Sequence, residues 1–326
     1  MKRFWCSLLG ILAWSGYVCP PQVSAQHTSG NKLTVRLASK EEAEKLLASE
    51  DSYTANWNDF DINSRLEKTD GTGTKEELLQ LAARETLDWT EEEKEKMARA
   101  VELFNQDIAK QGFQLPLPKE VIVIKSTMKD EGEAGGYTRN NWIVLSDKRV
   151  QATEERIKRI LTHELFHVLT RTNPSFKKKM YETIGFTVTN DELEFPSDLK
   201  NVRISNPDVS KYDSYGVFTV GKEKKKCSMI LYTDRPYTGG RFYQYFRIGF
   251  VPLDENLKAI GENGKTKIYG LGDITDFHEV VGKNTNYIIH PEEIAAENFV
   301  FAVLDVPDLP NPELKKKIQV LLKQTF

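Results

Sequence analysis

Cysteine is nearly absent: the 326 residues hold 3. Cys6 and Cys19 fall in a segment that reads as a removable leader, so Cys227 stands alone and no disulfide framework staples the fold. A large excess of charge is missing as well. The 45 Lys and Arg nearly balance the 48 Asp and Glu, which excludes a general polyanion-binding surface and a nucleic-acid partner. No apolar run reaches the roughly 20 residues that a bilayer span needs, and no internal repeat is evident. With 39% hydrophobic and 29% charged residues, the chain reads as a soluble globular protein with a sizeable core.

The N-terminus carries a leader pattern. Lys2 and Arg3 precede a mostly apolar stretch from Phe4 to Val18, and Val23-Ser24-Ala25 offers small residues where a signal peptidase cuts. We expect a signal peptide over 1–25, export to the periplasm or beyond the cell, and no stable membrane insertion after cleavage. In the remaining chain Cys227 reads as a residue of a solvated hairpin introduced by Lys222 to Lys226, rather than as a nucleophile.

Three segments begin with a Ser or Thr followed three residues later by Glu, which satisfies two helix-end amides reciprocally: Ser39 with Glu42, Thr74 with Glu77, and Thr90 with Glu93. The third opens a helix whose apolar stripe is Met97, Val101, Phe104 and Ile108, closed at Gly112. Strands are expected over Glu120 to Lys125 and Tyr137 to Ser146, then a long helix from Thr153 to Arg171, ended by Asn173-Pro174. Val217 to Val251 reads as an antiparallel hairpin or meander. Helices open at Pro291 and at Asn311-Pro312, with Asn311 as a cap. Helices, strands, a helix, strands and helices in that order predict an α+β fold with a small mixed sheet. We divide it into a helical N-terminal extension or propeptide over 26–88 and a catalytic domain over 89–326.

Within the long helix lies His163-Glu164-Leu165-Phe166-His167. Residues i and i+4 share one helix face, so His163 and His167 can present two imidazoles to one metal ion while Glu164 stands beside them. The chain has only 5 histidines, and Ile160, Leu161, Leu165, Val168 and Leu169 would draw this face inward, which an ordinary solvated face does not do. Zinc suits two imidazoles and a carboxylate. The third ligand is expected at Glu293, with Glu297 accepting the remaining N–H of a ligating histidine. Both lie on an inward stripe with Val300 and Leu304, where an unpaired carboxylate is costly. His290 is the rival third ligand, or else only a residue at the helix mouth.

The two motifs, His163 to His167 and the later Glu293-Ile294-Ala295-Ala296-Glu297, resemble those of the gluzincin metallopeptidases, the thermolysin-like branch of the zincins. Ala295-Ala296-Glu297 departs from that branch's frequent pattern. Ile184-Gly185-Phe186 and Asn206-Pro207-Asp208 are also similar to segments of exported bacterial proteins of uncharacterised substrate. The resemblance implies a zincin-like fold and a monomeric hydrolase acting on peptide or protein. Glu164 would be the general base that passes a water proton to the leaving amine, and Tyr287 a donor to the oxyanion. Tyr287 could equally sit in a short Tyr-Ile-Ile strand. The stretch from Tyr137 to Leu145 is either an edge strand that receives substrate or an interior strand. A catalytically weak peptide- or glycan-binding module with a structural zinc is the alternative function.

Overall fold

The computed structural model describes residues 31–326; the expected leader, Cys6, Cys19 and His27 lie outside the described residues. From the N-terminal side run β1 (Val35–Leu37), α1 (Lys40–Ala48), α2 (Ser52–Ala55), α3 (Asp59–Arg65), α4 (Lys75–Arg84) and β2 (Thr86–Leu87). Next come α5 (Glu91–Gln111), β3 (Val121–Ser126), β4 (Gly136–Arg139), β5 (Trp142–Ser146), α6 (Asp147–Val150), α7 (Glu154–Thr172) and α8 (Pro174–Thr183). Then follow β6 (Phe186–Val188), α9 (Ser197–Lys200), β7 (Ser214–Val220), β8 (Glu223–Tyr232) and β9 (Arg247–Pro252). The last elements are β10 (Gly261–Glu262), β11 (Lys265–Thr266), β12 (Tyr269–Gly270), α10 (Phe277–Val281), α11 (Pro291–Val303) and α12 (Pro312–Leu321). Helices come in blocks between the strands, and one mixed and one antiparallel sheet stand beside them without regular βαβ alternation, so the class is α+β. Among the described residues no helix is long and apolar enough to cross a membrane.

The first sheet runs β1-β3-β5-β4, with β2 also on β3; β1, β3 and β5 are parallel and β4 is antiparallel to β5. Both of its faces are covered. Val121, Val123, Ile143 and Leu145 face the core formed with α5, α7 and α11, whereas Ile124, Trp142 and Val144 pack against Ala43 and Leu47 of α1 and Ala82 of α4. A strand buried on both sides needs apolar residues at every position, which is why β3 and β5 read as continuous β-branched and aromatic runs. The segment expected as a helical extension is therefore helical over α1–α4, but it also supplies β1 and β2 and one covering layer of this sheet. Buried ion pairs lock it further: Arg65 contacts Asp61 at 2.9 Å and Glu131 at 2.9 Å, and Arg139 of β4 contacts Asp51 at 2.8 Å.

Several local expectations need correction. Tyr137 to Ser146 is not one strand but the β4–β5 hairpin, because Asn140 takes a left-handed φ of 47° and turns the chain. Thr74 and Thr90 close full capping boxes, whereas Ser39 closes half of one, since the Glu42 carboxylate is held by Arg36 at 2.7 Å. Asn311 does not cap α12; its Oδ1 accepts instead from the Lys283 amide at 2.6 Å. The second sheet, β12-β9-β8-β7-β6, is antiparallel throughout and contains the expected meander. Cys227 is buried in β8, and burial pushes its thiol up to about 12, so it is inert packing.

Candidate metal centre

The site forms where α7 packs on α11. Phe166 of α7 meets Phe299 of α11 with ring centroids 5.4 Å apart, and both rings are fully buried. This contact turns the polar positions of the two helices toward one another. His290 opens α11: its Nδ1 accepts from the Glu292 amide at 3.1 Å, and Pro291 occupies the first helical position. His290 is thus an N-cap and not part of the converging donor set; burial brings its imidazole down to about 4.

His163, His167 and Glu293 each offer one donor atom, all within 4.8 Å of one another. Glu293 Oε2 lies 3.1 Å from His163 Nε2 and 3.7 Å from His167 Nε2. Tetrahedral ligation at about 2.1 Å would separate neighbouring donors by about 3.4 Å, so the arrangement fits a small divalent cation. Both Nδ1 positions are anchored on the far side. His163 Nδ1 faces Glu297 Oε1 at 3.0 Å, and His167 Nδ1 faces Glu292 Oε1 at 3.1 Å. A carboxylate only accepts, so each Nδ1 carries a proton and each Nε2 is the nitrogen left to face the site, where a cation would take the place of any proton on it. His167 Nε2 is then a buried polar atom with no hydrogen-bond partner among the described residues, a costly state unless a ligand completes it.

Electrostatics point the same way. Glu164, Asp208, Glu292, Glu293 and Glu297 crowd two imidazoles, with Arg159 and Arg171 as the nearby fixed cations. Burial would raise Glu293, but His167, His163 and Asn206 outweigh it and bring its carboxyl to about 2, so it is ionised. Burial would lower His163, yet the carboxylates of Glu293 and Glu297 hold it well above its usual range. Burial and then the Asp208 charge push Glu164 up to about 8 against the pull of the two histidines. A buried carboxyl displaced this far from its ordinary value beside a donor cluster marks a functional position, and a nearby cation would draw it back toward the ionised form a base needs.

Glu164 is held by the edge of the first sheet. Its Oε2 accepts from Thr138 Oγ1 at 2.9 Å, and its carboxylate rests against Gly136, where a Cβ would come within 2.8 Å of Oε1. β4 is an edge strand, but its outer side is partly occupied, because the Thr138 amide donates to Asp208 Oδ1 at 2.6 Å. The expected docking edge over 137–145 is thereby reduced: β5 is interior, and the Gly136 end of β4 borders the open cleft. Tyr287 is 44% exposed and not in a strand; its ring centroid lies 6.1 Å from that of His163. It lines the cleft together with Glu164 and Asp208.

Sequence reasoning missed Glu292 and Thr138, and noticed Asn206 and Asp208 only as part of a similar segment, with no role at the site. Glu292 also accepts from Thr170 Oγ1 at 2.6 Å and from the Tyr181 hydroxyl. Its signal was its place directly before Glu293 near the start of a helix, the turn where the histidine-bearing helix crosses. Asn206 donates to Glu293 Oε1 at 2.8 Å from an irregular segment that has no periodicity to read. A second set, Glu164, His167 and Asp208, also lies within 4.8 Å, but it lacks a second imidazole and competes for the same His167. No family model, no curated protein and no solved structure matches this chain.

Proposed function

We propose that the chain is an exported zinc-dependent peptidase on a zincin-like fold, acting as a monomer on peptide or protein. The observation that carries this reading is the convergence of His163 Nε2, His167 Nε2 and Glu293 Oε2, with Glu164 alongside but outside the donor set. His163, His167 and Glu293 would hold the ion, which when bound supplies Lewis-acid polarisation of a carbonyl and of water.

The chain's own residues do the rest. Glu292 and Glu297 keep both Nδ1 positions engaged, and Asn206 fixes the Glu293 carboxylate. Glu164 accepts a proton from the attacking water and returns it to the departing amine. Thr138 orients the Glu164 carboxylate through its hydroxyl. Tyr287, whose hydroxyl has no protein partner among the described residues, donates to the oxygen that gains charge as the carbonyl is attacked.

Metal analysis of the purified protein should find one zinc per chain, lost in Glu293→Gln and retained in Asp208→Asn. Glu164→Gln should keep the zinc and abolish cleavage of a peptide library. Cleavage that survives Glu164→Gln refutes the base; tight peptide binding with zinc but no turnover by the parent protein supports the binding-module alternative instead.

A further inference from the structure

The cleft in front of the centre encloses about 510 Å³, and one wall of it carries Arg149, Arg156 and Arg159. Arg159 is neutralised: it contacts Glu297 at 2.8 Å and lies over the Phe301 ring at 5.5 Å. Arg149 and Arg156 are different. Both are exposed, and among the described residues neither has an ion-pair partner, although Lys148 next to Arg149 does, in Glu133. Two guanidinium groups without an ion-pair partner therefore line one wall of this cleft, while its acidic residues, Glu164, Asp208 and Glu297, belong to the metal-facing side or pair with Arg159.

Their placement relative to the chemistry follows from the helix. Arg156 precedes His163 by two turns on α7, roughly 10 Å at 1.5 Å per residue. An extended peptide advances about 3.3 Å per residue, so a group bound at Arg156 lies about three residues from a bond at the metal centre. Arg149, on α6, is set beside the entry to β4. A Cβ at Gly135 would stand 2.9 Å from its Nε and 3.2 Å from Ile160 Cδ1, so glycine at 135 lets the guanidinium lie against the strand. Gly136, the accessible end of the edge strand, lines the same cleft. A peptide adding to β4 at this end is thus carried past both arginines.

We infer that this wall is a carboxylate-binding subsite: the favoured substrate is a peptide with a carboxylate about three residues from the scissile bond, held by Arg149 and Arg156. This rests on the peptidase reading for its register, but not for the binding itself. Arginine is suited to the task because its planar fork pairs with a carboxylate through two parallel hydrogen bonds. The carboxylate can be an acidic side chain or the peptide's own C-terminus.

The test uses the full zinc-loaded chain carrying Glu164→Gln, so that binding is read without turnover. Three fluorescent alanine-rich peptides are compared by anisotropy: one with a single Glu and a C-terminal amide, its Gln counterpart, and the Gln peptide with a free C-terminus. The Glu or the free-terminus peptide should bind about tenfold tighter than the amidated Gln peptide, and the preferred one of the two identifies the source of the carboxylate. The preference should fall with added salt and vanish in Arg149→Gln/Arg156→Gln, two surface changes that leave the core untouched. Equal binding of all three peptides, no binding by any, or a preference that survives the double change overturns the inference. Binding with the expected preference, combined with no cleavage of the same peptide by the protein with Glu164 intact, supports the subsite and overturns the peptidase reading alone.

Discussion

Replacing Glu292 by Gln separates a support for the proposed metal centre from its proposed ligands. The carboxylate touches no site for the ion, yet it holds His167 Nδ1 at 3.1 Å. Its side chain is 3% exposed, whereas that of Glu297, the partner of His163, is 17% exposed and shares its charge with Arg159 at 2.8 Å. Loss of such a partner weakens metal binding by about 10- to 100-fold, or roughly 1.4 to 2.7 kcal/mol. The less solvated contact, from a carboxylate that Thr170 and Tyr181 hold in place and no guanidinium pairs with, should stand at the upper end. Glu292→Gln should therefore bind zinc about 100-fold more weakly and Glu297→Gln about 10-fold. Titrating each metal-free variant against a chromophoric chelator reads the constants, and far-UV circular dichroism with a melting curve shows that the apo fold is intact. A Glu292→Gln protein that binds within about twofold of the parent, or more tightly than Glu297→Gln, would refute the role assigned to this carboxylate.

Three further outcomes follow from the packing. Gly136→Ala drives a methyl group to within 2.8 Å of Glu164 Oε1 and should lower kcat by about 100-fold with zinc content unchanged, because a displaced base is expensive in rate; single-turnover kinetics with metal analysis check it. Burial would raise the Asp276 carboxyl, but the Lys224 ammonium and the Thr219 hydroxyl and amide bring it to about 2. Its folded pKa lies below the unfolded value, so the stability it contributes is present above about pH 4 and is lost as pH falls through 2. With Lys224 largely solvated we expect about 1–2 kcal/mol; urea unfolding of the parent and Asp276→Asn from pH 2 to 5 should converge at the acid end. A chain beginning at residue 89 leaves Trp142, Val144 and Ile124 without α1 and α4 and strips Glu131 of Arg65; it should fail to fold by circular dichroism and limited proteolysis.

The helical half of the centre was legible because a face repeats every three to four residues. His163 and His167 on one helix and Glu293 and Glu297 on the other declare a shared side through spacing alone. Glu292 escaped that reading, since it sits one position off the stripe and reaches the site only because α11 crosses α7 near its first turn. Asn206 and Asp208 lie in irregular chain, where position is set by tertiary contacts such as the one from the Arg171 guanidinium to the Pro207 carbonyl. The β4–β5 turn was written in Asn140-Asn141, a residue type that favours turns and tolerates the left-handed region, but the strand-forming residues Tyr137-Thr138 and Trp142 to Leu145 on either side drew the stretch into one strand. β1 was hidden by its length of 3 residues; it is a strand because β3 offers it a parallel edge.

That parallel edge constrains how the chain can be assembled. β1 is made early, but its hydrogen-bonding partner β3 arrives only after α5, and the residues on which α1 and α4 rest belong in part to β5. Until Ser146 has been synthesised, α1 and α4 have one another but not the complete sheet face to settle on, so consolidation of the sheet waits on topology and not on local propensity. A nascent polypeptide of this design stays loose and threadable through its first stretch, then closes around several distant pieces at once.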